Sequence, residues 1–107
     1  MIEVIYYRDH NRVTVMGHAG SAEPGHDLVC ASASILTMTL AENARHICDS
    51  GCAADPVTVL REGYAEISCK ANPGYKESVR QVFMSVCVGF EILANKFPEY
   101  VLYSVRG

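Results

Sequence analysis

Residues 2–7 and 12–17 show an alternation of apolar and polar positions that predicts two strands. Both segments are rich in β-branched and aromatic side chains, which favour extended structure. The polar residues 8–11 between them have the composition of a tight turn. We therefore predict a β-hairpin at the start of the chain.

The same alternation returns in the second half of the chain. Residues 57–61 and 64–70 predict two more strands, and Glu62-Gly63 between them is typical of a hairpin turn. Residues 100–105 predict a final strand.

Apolar residues at helical spacing predict a first helix after residue 27. Asp27 has a short side-chain acceptor directly before the apolar run, so it is predicted to cap this helix. That boundary places Cys30 at the third helical position, and Gly51 should end the helix. Apolar residues cover much of its circumference, which favours a buried helix.

A second helix is predicted from Asn72, which would cap it, with Pro73 at its first position. Pro98 should end this helix. Its apolar face is formed by Val79, Val82, Phe83, Val86, Phe90, Leu93 and Phe97.

The resulting order, ββαββαβ, predicts an α+β fold with a single domain over residues 1–107. A five-stranded mixed sheet would carry two helices on one face, which makes a two-layer α/β sandwich. The other face of the sheet would need cover, because the strand at 2–7 has apolar side chains on both faces. Formation of a homodimer is one way to supply that cover.

Composition and charge narrow the class of protein. Half of the 107 residues are hydrophobic and 20% are charged, as in an ordinary globular chain. The formal net charge is -3 and there is no basic stripe, so direct binding to nucleic acid is not expected. No apolar run approaches the roughly 20 residues that span a membrane, and no signal peptide is visible. We therefore expect a cytoplasmic protein whose five cysteines are thiols.

His18 and Cys30 are the strongest candidates for chemistry. His18 follows the second predicted strand and Cys30 lies at the start of the first predicted helix, with a glycine-bounded loop between them. An ordinary cysteine is only a few per cent thiolate at pH 7, and a helix dipole changes a pKa by less than about one unit. A protonated imidazole would favour the thiolate more strongly, so the two residues could act as nucleophile and acid–base partner.

Three functions stay open on these residues alone: a cysteine protease, a module whose loop clamps a partner segment without cutting it, and a thiol redox protein. Cys30 could also be a core residue without a chemical role, as cysteines in buried helices usually are. A thiol redox protein ranks last, because Cys30 has no CxxC partner.

The other four cysteines are predicted to have structural roles. Cys48 and Cys52 lie near His46, but these are too few ligands for a zinc site, so packing thiols are favoured and no metal is expected. Cys69 and Cys87 are predicted to lie in the core.

The sequence GHA at 17–19, followed after five residues by GHDLVCA at 25–31, resembles the signature of the Prp family of ribosomal-processing cysteine proteases. The likeness is dense over residues 17–34 and rests elsewhere on size and element order. It implies a small cytoplasmic bacterial protease, homodimeric and free of cofactors. Its implied reaction is removal of the N-terminal extension of ribosomal protein bL27.

The resemblance also implies the site. The family's catalytic histidine and cysteine correspond to His18 and Cys30, and its aspartate corresponds to Asp27, as either a helix cap or an orienting residue. The family's loop that orders around the substrate peptide corresponds to Ala19–His26. The implied substrate-loop residues are Gly17, Ala19, Gly20, Ser21, Gly25 and His26.

Overall fold

A computed structural model describes residues 1–18 and 26–107, with the side chains of 26 and 27 excepted. The element order is β-β-α-β-β-α-β, as the sequence predicts. The elements are β1 (Ile2–Tyr7), β2 (Arg12–Gly17), α1 (His26–Asp49), β3 (Ala53–Arg61), β4 (Tyr64–Ala71), α2 (Lys76–Lys96) and β5 (Val101–Arg106), with a short 3-10 helix (Arg8–His10) between β1 and β2.

The five strands form one mixed sheet in the order β3-β4-β2-β1-β5. Both predicted hairpins are confirmed as antiparallel pairs, β1 with β2 and β3 with β4. Strand β5 returns through α2 and pairs parallel to β1, with Val4 opposite Tyr103. This crossover makes the sheet mixed, because parallel neighbours need a long connection and a hairpin cannot supply one.

Alternate strand residues and both helices share a single core. Val4, Val13 and Ile67 project from three neighbouring strands and are almost completely buried. They pack in one cluster with Phe83 and Phe90 of α2. Each large apolar side chain moved from water into such a core contributes about 1.5–3 kcal/mol. The period-2 and helical patterns in the sequence therefore meet in one hydrophobic layer between sheet and helices.

Helix α1 begins earlier than predicted and ends where predicted. Because its first residue is His26, Asp27 lies inside the first turn and does not precede the helix as a cap. Gly51 ends α1 as expected, with φ +84. The N–H of Gly51 donates to the Cys48 carbonyl at 3.1 Å, and the N–H of Cys52 donates to a carbonyl five residues earlier at 2.9 Å. These two bonds satisfy carbonyls that the helix end leaves without partners.

The predicted start of α2 was wrong. Residues 72–75 form a turn in which the N–H of Tyr75 donates to the Asn72 carbonyl at 3.0 Å, and Gly74 has φ +89. A proline followed by a glycine suits this turn better than a helix start. The helix begins at Lys76, and Nδ2 of Asn72 donates instead to the Gly51 carbonyl at 2.8 Å.

Strand β3 begins earlier than predicted. The alternating pattern starts only at Val57, but strand pairing continues through the irregular residues before it. A register shift lies between Ala54 and Val57, and Asp55 between them has φ +53. Such a bulge is tolerated because β3 is an edge strand, where unpaired backbone groups face solvent. Strands β4 and β5 differ from the prediction by one residue at their ends.

The sheet face opposite the core carries Ile5 and Thr14, which pair across β1 and β2 and are 4% and 3% exposed. Around them are polar contacts: Arg12 pairs with Glu66 at 3.2 Å, and the Tyr64 hydroxyl donates to Glu66 at 2.9 Å. Much of this face is thus covered by its own long side chains. Homodimer formation, which the sequence suggests as cover for this face, stays a prediction.

Candidate active site

The backbone at His18 is fixed by two neighbouring segments. His18 directly follows β2, and the Gly17 N–H donates to the Gly63 carbonyl in the β3–β4 turn at 2.9 Å. The His18 carbonyl accepts a hydrogen bond from the amino group of Met1. Gly17 has φ +96, and a Cβ there would overlap the Met1 carbonyl oxygen, so only glycine fits this approach. The close approach at Gly17 therefore fixes the backbone at the end of β2 and helps to position His18.

Cys30 reaches the same region from α1. Its neighbour Val29 is fully buried and Ala33, one turn later, is 4% exposed, so this part of the helix is packed on the core. Cys30 itself is only partly buried and touches the edge of that core. The helix thus presents Cys30 at the boundary between the packed interior and the surface.

His18 and Cys30 line one pocket of about 400 Å³. Most of its lining is apolar, and Arg61 at the end of β3 and Glu62 in the β3–β4 turn add charged groups. Among residues 1–18 and 28–107, no hydrogen bond joins His18 to Cys30. The other lining residues are Ile2, Val15, Gly17, Ala33, Ser34, Thr37, Met38, Leu60, Gly63, Tyr64 and Ala65.

The early start of α1 changes the environment predicted for Cys30. Cys30 is the fifth residue of the helix and not the third, so it lies in the second turn. A regular helix pairs the N–H of its fifth residue with the carbonyl four positions back. In a regular helix the Cys30 N–H is therefore paired with the His26 carbonyl. Backbone N–H groups that could bind a negatively charged reaction intermediate belong to residues before Cys30.

Several predicted site residues fall outside the described part of the chain. Ala19, Gly20, Ser21 and Gly25 are among them, so their predicted contact with substrate stays a prediction. His26 is the first residue of α1 and not a loop residue, because the helix begins there. The side chains of His26 and Asp27 are not described. Because Asp27 lies inside α1 and does not cap it, its orienting role is what stays a prediction.

Cys69 and Cys87 lie in the core, as predicted, whereas Cys48 and Cys52 are only partly buried. All five are free thiols, and Cys69 and Cys87 belong to the core cluster. Burial raises the pKa of Cys69 to about 12 and that of Cys87 to about 11. Cys48 and Cys52 pack against the core from the end of α1. Within the described residues, no group of three or more His, Cys, Asp or Glu side chains is placed to hold a metal ion.

The β3–β4 turn is a part of the site that the sequence analysis did not identify. Glu62-Gly63 predicts only a hairpin, although this turn and the strand ends beside it supply six consecutive lining residues, Leu60 to Ala65. Nothing local to this dipeptide indicates its neighbour, because the contact with His18 is made by chain segments more than 40 residues apart.

The family model of the cysteine protease Prp matches residues 1–102, nearly the whole chain. The chain belongs to the Prp family of cysteine proteases. It is therefore an enzyme that hydrolyses peptide bonds. The likeness seen first in residues 17–34 thus extends over almost all of this Prp-family protease.

Solved structures share the fold of this Prp-family protease. SMU.848 from Streptococcus mutans is 28% identical with a TM-score of 0.70, over 98% of this chain and 91% of that chain. The essential ribosomal processing protease Prp from S. aureus, in complex with a substrate peptide, is 16% identical with a TM-score of 0.70. The same protein with a covalently linked product peptide is 17% identical with a TM-score of 0.69. Both cover 98% of this chain and 97% of that chain.

Among curated proteins, no significant match was found. Neither α1 nor α2 combines the length and hydropathy that a membrane-spanning helix requires.

Proposed function

We propose that this protease removes the N-terminal extension of ribosomal protein bL27, with Cys30 as nucleophile and His18 as its acid–base partner. The observation that carries the proposal is the shared pocket: a thiol from α1 and an imidazole after β2 line one cavity of about 400 Å³. No other histidine lines this cavity, among the residues that the structure describes.

The proposed reaction has two stages. The Cys30 thiolate attacks the scissile carbonyl carbon, forming a C–S bond, and the His18 imidazolium protonates the departing amine as the C–N bond breaks. Water, deprotonated by the now neutral His18, then attacks the thioester and releases the carboxylate product and the thiol. One water molecule is consumed for each peptide bond cleaved, and no cofactor takes part.

An extended peptide has a continuous surface to follow from these two residues. Met38 and Leu60 line the pocket and also a neighbouring groove of about 540 Å³ between α1 and β3. Both side chains are about half exposed although they lie between helix and sheet. Peptide side chains laid along this groove would cover them, which supports a substrate of several residues.

Family membership supports the choice of a ribosomal protein as substrate. The S. aureus relative is described as a ribosomal processing protease and was crystallised with a substrate peptide. A protease of this kind would act in the cytoplasm, where ribosomal proteins are made. The proposal includes the homodimer expected from the family.

The test is cleavage of full-length bL27, read by intact mass. The wild-type enzyme should remove one N-terminal fragment, and Cys30→Ala should release none while keeping the wild-type melting temperature. Cys52→Ala is the matched control, because this thiol is also partly exposed but lies beyond the other end of α1 and does not line the pocket. Cleavage by Cys30→Ala would disprove the nucleophile assignment, and an uncut bL27 with wild-type enzyme would disprove the substrate assignment.

A further inference from the structure

The turn between β3 and β4 contacts the His18 side chain as well as its backbone. A Cβ built on Gly63 would lie 3.0 Å from Nε2 of His18 and 3.6 Å from Cε1 of the same ring. The tip of the imidazole therefore lies on the side of Gly63 where a side chain would begin. The neighbouring bond from the Gly17 N–H to the Gly63 carbonyl, 2.9 Å long, holds turn and strand end together at this point.

Backbone conformation alone does not distinguish Gly63 from other turn glycines. Gly63 has φ +74, while Gly51 and Gly74 have φ +84 and +89, so all three adopt a region that L side chains rarely occupy. A Cβ on Gly51 or Gly74 would meet nothing within 4 Å. The close approach to an imidazole is thus particular to Gly63.

His18 needs an external support of this kind, because its side chain is exposed and no core packing selects its rotamer. A side chain free to rotate loses conformational entropy each time it engages a reacting group. A ring that rests on backbone has fewer alternative positions, and small errors in position are costly for proton transfer.

We propose that Gly63 is a positioning residue, which holds the His18 ring in the pocket shared with Cys30 because it has no side chain. This inference rests on the proposed roles of His18 and Cys30. The β3–β4 turn then acts with β2 and α1 as a third structural part of the active site.

The experiment compares Gly63→Ala with Gly74→Ala, which imposes similar backbone strain at a site far from any side chain. Gly63→Ala should lower kcat for a bL27 extension peptide about 100-fold, the scale of a catalytic group misplaced by about 1 Å. It should also alter the pH profile of kcat/KM and leave KM within about threefold, because the turn holds the ring and not the peptide. Gly74→Ala should keep wild-type kcat and pH profile. Equal kcat in the two variants would overturn the proposal.

Two further measurements keep the proposal testable when activity is uninformative. In the wild-type protein, nuclear Overhauser contacts should join the His18 ring protons to the Gly63 α-protons, and their absence would overturn the proposal even if Gly63→Ala fails to fold. Iodoacetamide should label Cys30 more slowly in Gly63→Ala than in Gly74→Ala. If the wild-type enzyme leaves bL27 uncut, the proposed function fails, while these two measurements still decide whether Gly63 positions His18.

Discussion

Cys30 and Cys87 are the same side chain in two different settings, although each lies on a helix that packs on the same sheet. Cys87 is 3% exposed and belongs to the core cluster, to which α2 contributes it. Burial raises its pKa to about 11, so it is a neutral packing group at physiological pH. Cys30 is only partly buried and lines a pocket together with an imidazole.

This comparison indicates that the packing of the helix, more than the residue type, determines which thiol is accessible to a substrate. Cys87 lies on the buried face of α2, where its thiol packs as a small apolar side chain would. On α1, Val29 and Ala33 are buried in the core, whereas Cys30 between them is partly buried and lines the pocket.

The largest expected effect is the selectivity of alkylation. At neutral pH, iodoacetamide should label Cys30 at least about 1000-fold faster than Cys87, because a core thiol reacts only after the structure opens. Peptide mapping by mass spectrometry at several times would measure both rates. Equal rates would remove the contrast on which the assignment of Cys30 depends, and labelling in denaturant provides the control.

The next effect concerns the imidazole of His18, which lines the same pocket as Cys30. His18→Ala should lower the rate of bL27 cleavage by about 100-fold or more, since general acid–base catalysis contributes factors of this size. It should also slow alkylation of Cys30 and leave Cys87 unchanged. His46→Ala, an exposed histidine near the end of α1, is the control. Unimpaired cleavage by His18→Ala would rule out its catalytic role.

The third prediction concerns substrate binding in the pocket and groove, and it uses substitutions on strand β3. Leu60→Asp should raise KM about 10-fold, because a carboxylate would replace a half-exposed apolar side chain that a bound peptide would cover. Val57→Asp is the matched control, since Val57 lies on the same strand, is 41% exposed against 52% for Leu60, and does not line the groove. A similar KM for both variants would place the substrate elsewhere.

The smallest expected effect is on stability at high pH. The folded-state pKa values of Cys69 and Cys87 are raised by burial from 9.0 to about 12 and about 11, so folding favours their neutral thiols. Their contribution to stability is complete below pH 9 and decreases as pH rises towards 11 and 12, because the unfolded chain then ionises first. The melting temperature should fall over this range.

A variant isolates the part of this fall that belongs to a buried thiol. Cys69→Ala should be less stable than wild type at pH 7, because it leaves a small cavity, but its melting temperature should fall less between pH 9 and pH 11. The burial that raises the pKa of Tyr6 should contribute equally in both proteins. An identical fall in wild type and Cys69→Ala would show that this thiol is not linked to unfolding.

Much of the fold was predictable because local patterns and tertiary packing agree. The β1 and β2 boundaries, the order of elements and the end of α1 at Gly51 all follow from alternation and from one glycine that suits a positive φ. The errors lie at the starts of α1, α2 and β3, with differences of one residue at the ends of β4 and β5. Asp27 and Asn72 both have the side chain of a cap, but one lies inside α1 and the other in a turn before α2. Capping propensity is weak enough for a neighbouring turn to override it.

Local patterns were enough to predict the element order and the buried cysteines, and a specific motif was enough for the family and its two catalytic candidates. The meeting of His18 and Cys30 in one pocket, and the approach of Gly63 to the imidazole, depend on the tertiary fold. Periodicity and turn chemistry act over a few residues, whereas Gly63 meets His18 only because β4 pairs with β2 and carries the turn to that edge of the sheet.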